Sequence, residues 1–184
     1  MRYSELTEGN ASATASEIIR RDCQPWIQSL PRPTRTLAWR GIHGLPEDGQ
    51  FGRKQARLTN RRPASTGLNL HNSTNEMFIE RFGKPFRNAV FVVGNVKVAE
   101  EYGNPYAIFP IGEFEYVWNP EIDDLFGYTS ETSTDQEALD LVTAAMPGYQ
   151  ATELSKGIRS SYEIMLWTTE YYYVSADIAR TLLL

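Results

Sequence analysis

The chain is poor in the residues that build redox and metal centres. Its 184 residues include one cysteine, Cys23, and two histidines, His43 and His71. A single thiol excludes an internal disulfide and a cysteine-built zinc cage, and two histidines are too few for a histidine-rich metal centre. No apolar run approaches the roughly 20 residues that span a bilayer. Met1 to Asn10 has no apolar h-region, so no secretory leader is expected. A reducing, cytoplasmic setting is the expectation that follows. No glycine-rich phosphate loop of the Walker or doubly wound kind follows any strand pattern. The adjacent acids Asp123 and Asp124, with Glu121 nearby, fit a turn or a helix cap as well as a divalent cation. No metal is expected.

What is present is ordinary in amount and uneven in distribution. With 41% hydrophobic and 22% charged residues, the chain can bury one sizeable core, and 1–184 reads as a single domain. The net charge is −5, yet Arg32, Arg35, Arg40, Arg53, Lys54, Arg57, Arg61 and Arg62 face only Glu47 and Asp48 between positions 32 and 62. A basic segment on an acidic protein suits an anion: a dinucleotide, a nucleic acid or an acidic partner surface. A solvated loop that carries charge for solubility fits the same composition.

Periodicity gives a mixed α+β order without a βαβ rhythm. Ala11 to Leu30 reads as a helix interrupted at Pro25, and 1–34 as an N-terminal helical segment packing on the core. Thr36 to Trp39 reads as a short strand ending at Arg40-Gly41. The stretch 41–67 is rich in glycine and proline and reads as one long basic loop, a length usually reserved for function or disorder. Ser73-Thr-Asn-Glu76 has the form of a capping box opening a helix to Phe82. Ala89 to Val93 reads as a buried strand and Asn95 to Tyr102 as a short helix. Tyr106 to Phe109 and Phe114 to Trp118 read as strands, and Thr134-Asp-Gln-Glu137 as a second capping box. Tyr162 to Trp167 and Tyr171 to Val174 read as two strands of a hairpin around Thr168-Thr-Glu170, and Ala176 to Leu184 closes the chain as a short helix or apolar strand.

Three of these segments carry chemistry. Leu37-Ala-Trp-Arg-Gly-Ile-His43 sets an arginine and a glycine at a strand end. Phe91-Val-Val-Gly-Asn-Val-Lys-Val-Ala-Glu-Glu-Tyr102 is a strand, tight turn and helix. Tyr162-Glu-Ile-Met-Leu-Trp167 sets a carboxylate at the head of a strand. In this order they resemble the ADP-ribosyltransferase fold over roughly Leu37 to Val174. The resemblance implies two small, mostly antiparallel sheets around a nucleotide cleft, with NAD as substrate. It implies that Arg40 grips the nucleotide and that Glu163 stabilises the oxocarbenium character of the ribose as the nicotinamide bond breaks. Gly41, His43, Phe91 and Tyr102 would line the NAD site beside Arg40. Phe91-Val-Val-Gly94 stands where many members carry Ser-Thr-Ser, and Ser161 where many carry Glu or Gln, so the acceptor stays open: protein or nucleic acid. The resemblance further implies a factor working inside the cell that makes it, of the phage-encoded kind aimed at host components.

The chemistry suits these residue types. A carboxylate stabilises a developing cation on a sugar, as glycosidase carboxylates do. A guanidinium offers a planar fork of donors to phosphate or ribose oxygens. Glycine admits close backbone approach, an aromatic side chain can hold a nicotinamide, and histidine titrates near neutrality. Glu170 is a rival carboxylate to Glu163. Two other readings stand beside the enzyme: a non-catalytic module whose basic loop binds nucleic acid or an acidic protein, and an assembly protein associating through its aromatic residues.

Overall fold

A computed structural model describes residues 8–30, 36–45, 49–63 and 66–182. Arg32, Arg35, Glu47 and Asp48 of the basic stretch lie outside these residues. Two helices open the chain, α1 (Glu8–Asp22) and α2 (Gln24–Ser29), broken where Pro25 enters the first turn of α2. Next come β1 (Trp39–Ile42), β2 (Phe51–Gln55) and α3 (Leu68–Phe82), then a 3-10 turn, Phe86–Asn88. The middle of the chain holds β3 (Val90–Val92), α4 (Val96–Glu100), β4 (Asn104–Pro110) and β5 (Glu115–Trp118). It closes with α5 (Leu125–Thr129), α6 (Asp135–Ala145), α7 (Leu154–Ser160), β6 (Ile164–Trp167), β7 (Glu170–Ser175) and α8 (Ala176–Ala179). The class is α+β in one domain, with two small antiparallel sheets.

The larger sheet has the order β1-β4-β7-β2 and the smaller the order β3-β6-β5. Directly opposed residues share a sheet face. The register Arg40↔Tyr106, Ile108↔Tyr173, Gly52↔Tyr173 and Lys54↔Tyr171 therefore puts Arg40, Tyr106, Tyr171, Tyr173 and Lys54 on one face of the larger sheet. The opposite face carries Ala107, Phe109, Tyr172 and Val174. It joins Ala15, Ile19, Trp26 and Ile178 in the main core, and there the Tyr172 hydroxyl donates to Asp22 at 2.7 Å.

The smaller sheet is buried on both sides. Ile164 and Leu166 enter the main core, while Met165 enters a second core with Phe78, Phe86, Val117 and Val142 from α3, the 3-10 turn, β5 and α6. Two-sided burial explains why Val90–Val92 and Ile164–Trp167 read as continuous apolar runs.

Several expectations are corrected. The stretch 41–67 is not one long loop: β2 lies within it and pairs with β7 from Phe51↔Val174 to Gln55↔Glu170. Its polar sequence hid it because it is an edge strand, exposed from Arg53 to Gln55. β6 and β7 do not form a hairpin; Thr168 and Thr169 carry the chain from one sheet to the other. β1 is shifted to Trp39–Ile42, so Arg40 and Gly41 sit within the strand rather than at its end. α3 begins at Leu68 with Gly67 as N-cap, and Ser73 lies inside the helix. The second capping box is present: Thr134 Oγ1 accepts from Glu137 N at 3.2 Å, and the Glu137 carboxylate accepts from Ser133 N at 2.8 Å. α5 and α7 were not foreseen, being too short for periodicity to mark.

Candidate functional site at the junction of the two sheets

The two sheets meet where β1 touches the end of β3. Trp39 N donates to Val93 O at 2.7 Å and Val93 N to Trp39 O at 2.8 Å. This bridge brings the residue after Trp39 against β3, where Arg40 Nη1 donates to Phe91 O at 3.0 Å. β3 in turn pairs with β6 through Val92↔Ile164, so the residue before Ile164, Glu163, stands at the same junction. Its backbone N–H donates to Asp123 O at 2.6 Å. Arg40, Phe91 and Glu163, remote in sequence, thus converge by strand pairing.

Two further arginines complete the cluster. Arg87 Nη1 donates to Glu163 Oε1 at 3.0 Å, with side chains only 10% and 15% exposed. The Arg87 guanidinium lies 4.8 Å from the centre of the Phe91 ring and that of Arg61 4.3 Å from it. Arg61 Nη1 also donates to Ala89 O at 2.5 Å. The 3-10 turn that carries Arg87 is held by α3: Asn75 Oδ1 accepts from Arg87 N at 2.9 Å, and His71 Nε2 lies 3.0 Å from Asn88 Oδ1. Burial lowers the His71 pKa, which favours the neutral imidazole beside these cations. Asn88 Nδ2 donates to Leu58 O at 3.0 Å and so ties the segment before Arg61 to the turn.

The electrostatics follow from crowding. Burial lowers the Arg40 pKa, with Tyr171 and Glu163 opposing. Burial, then the neighbouring charges of Arg40 and Arg87, brings Arg61 down to about 10. Burial pushes Glu163 above the usual carboxylate range, against the pull of Arg87 and Arg61, and Asp124 adds to the rise. Burial also raises Tyr171 and Tyr149, which lie within the field of the arginines and of Glu163. Three guanidiniums gather around one carboxylate and one aromatic ring. Such a set receives anions and keeps a carboxylate close to them.

The remaining expected residues fall at different distances from this centre. Tyr102 follows α4, is 54% exposed, and has its pKa raised by burial and then by the charges of Asp124 and Glu163, so it stands at the rim of the cluster. Gly41 serves packing: a Cβ there would come within 2.3 Å of Ala99 O and 2.5 Å of the Tyr102 carbonyl carbon. His43 lies one residue past β1, exposed, with its ring beside Gly103. Glu170, the rival carboxylate at the start of β7, pairs with Arg53 of the edge strand β2. Asp124 caps α5 by accepting from Gly127 N at 2.7 Å. Among the described residues no group of three or more His, Cys, Asp or Glu side chains is disposed to hold a metal.

Sequence reasoning missed Arg61 and Arg87. Arg61 was one cation among eight in a basic stretch. Arg87 had a usable signal: a lone cation between Phe86 and the apolar run beginning at Ala89, where burial demands a partner. The glycine at 94, standing where the resembled pattern has hydroxyls, has a local cause: a Cβ there would lie 1.4 Å from Ile158 O of α7. Compared with protein families, curated proteins and solved structures, the chain matches none.

Proposed function

We propose that the chain is an NAD-dependent ADP-ribosyltransferase that passes ADP-ribose to a macromolecular acceptor. The observation that carries the reading is the meeting of Arg40 and Glu163 at the sheet junction around Phe91. The donor set fits the substrate: Arg40, Arg61 and Arg87 outnumber the single carboxylate they surround, as a diphosphate requires. When bound, NAD supplies a ribose carbon that becomes electrophilic as its bond to nicotinamide breaks and the electron pair leaves with the neutral base.

The roles divide by position. Arg40 and Arg61 offer guanidinium donors to phosphate or ribose oxygens. Glu163 places negative charge beside the carbon that turns positive, and a desolvated carboxylate acts there more strongly than one in water. Arg87 is a positioning residue that holds Glu163 through their ion pair. Tyr102, exposed at the rim, offers a ring for the nicotinamide to rest on.

Nicotinamide release from NAD by the purified protein tests the reading. Glu163→Gln is expected to lower turnover on the order of 1000-fold with an unchanged far-ultraviolet spectrum, and Arg40→Met to weaken NAD binding. Turnover by Glu163→Gln equal to that of the parent, or an absence of NAD binding in calorimetry, sinks the assignment.

A further inference from the structure

The basic stretch expected to be one loop divides into parts with different surroundings. Arg61 is drawn into the sheet junction and Arg53 pairs with Glu170. Lys54, Arg57 and Arg62 remain exposed, and among the described residues no carboxylate lies within ion-pair distance of them. Positions 49–63 carry five cations and no acid, on a chain with net charge −5. Within that run Lys54, Arg57 and Arg62 repel one another, and no carboxylate among the described residues pairs with them. Its charge is complementary to a polyanion.

Two features of the fold say which polyanion. Lys54 shares its sheet face with Arg40, so the strip runs from the open edge of the larger sheet to the site. On that face Tyr173 lies half-buried across Gly52: a Cβ at Gly52 would meet the tyrosine hydroxyl at 2.4 Å. Tyr173 and Lys54 thus present an aromatic ring and a cation on one face, the pairing that binds single-stranded nucleic acid, with phosphates on cations and bases on rings. An acidic protein surface needs the cations but not the ring.

We infer that residues 54–62 and Tyr173 form a docking strip for single-stranded nucleic acid, which the strip leads to Glu163. As a binding surface the strip stands alone; the strand's role as acceptor rests on the transferase reading.

The test uses the full chain and a fluorescent 12-nucleotide single strand, as RNA and as DNA, followed by anisotropy across a salt series. Binding should weaken linearly on a logarithmic salt scale. The triple variant Lys54→Gln, Arg57→Gln, Arg62→Gln should lose at least tenfold in affinity and flatten the salt slope by about 2. Its three side chains are exposed, so folding is retained, and its release of nicotinamide from NAD stays at the parent level. Tyr173→Leu should weaken binding without changing the salt slope. No strand binding at low salt overturns the inference, as does binding that the triple variant leaves unchanged. Binding of fluorescent polyglutamate with no oligonucleotide binding also overturns it, in favour of an acidic protein. Label transfer from NAD to the bound strand supports the acceptor role. Strand binding without NAD turnover supports the strip and defeats the transferase reading alone.

Discussion

The two sheets solve the burial of their faces in opposite ways. The smaller sheet is covered on both sides by apolar side chains, and β3 and β6 carry no charged residue. The larger sheet covers one face with α1, α2 and α8, while its other face mixes buried Tyr106, Ile108 and Tyr171 with part-buried Arg40 and Tyr173 and exposed Lys54. The charged cluster belongs to neither interior. It sits where the sheets meet, where the backbone carbonyls of Ala89 and Phe91 accept from Arg61 and Arg40. A dry sheet supplies rigidity, and its junction with a sheet that carries polar side chains on one face supplies the candidate site.

The sharpest way to break this arrangement is to pry apart the elements that frame it. Gly94→Ala puts a methyl where the carbonyl of Ile158 lies 1.4 Å from the new atom, backbone that cannot step aside. The loss should exceed about 3 kcal/mol. Chemical denaturation reads it, and a loss below 1 kcal/mol would mean that α7 can lift from the turn.

A smaller effect is expected at the polar centre itself. Arg87→Met leaves Glu163 buried without its nearest cation and should cost about 2 to 3 kcal/mol near neutral pH, at the low end for buried pairs because each partner keeps some exposure. Thermal melts of the two proteins at neutral pH decide it. Unchanged stability would show that Arg61 and Arg40 suffice to hold Glu163.

The smallest effect concerns protons. Burial raises the pKa of Glu163 in the folded chain, so its contribution to stability is complete below about pH 4, the ordinary range of a free carboxylate, and is lost as the pH rises through the higher folded value. Glu163→Gln does not titrate. The stability of the parent relative to this variant should therefore decline from pH 4 towards neutrality in urea titrations. A difference that stays flat, or grows with pH, would place Glu163 in a wetter and better paired setting than the smaller sheet provides.

How much of this was legible in the sequence depended on the range of the forces involved. α6 announced itself through Thr134 and Glu137, because a capping box is made by residues three apart. Two strands of the smaller sheet, β3 and β6, announced themselves through unbroken apolar runs. β2 did not, because an edge strand with exposed cations has the composition of a loop and gains its order from pairing with β7. The β6–β7 hairpin was misread because adjacency in sequence suggests pairing, whereas each strand found its partners elsewhere.

The sequence by itself determined the α+β class, most of the helices and strands, and the residues worth watching at Arg40, Phe91 and Glu163. Hydrophobic period, caps and turn residues act over a few positions and need no partner. Only the tertiary structure decided that Arg61 and Arg87 join them, that Gly41 and Gly94 serve packing, and that Lys54 faces the same way as Arg40. Those facts rest on strand register and on the bridge from Trp39 to Val93. Register is fixed by which whole faces can be buried together, a condition that no short stretch of chain contains.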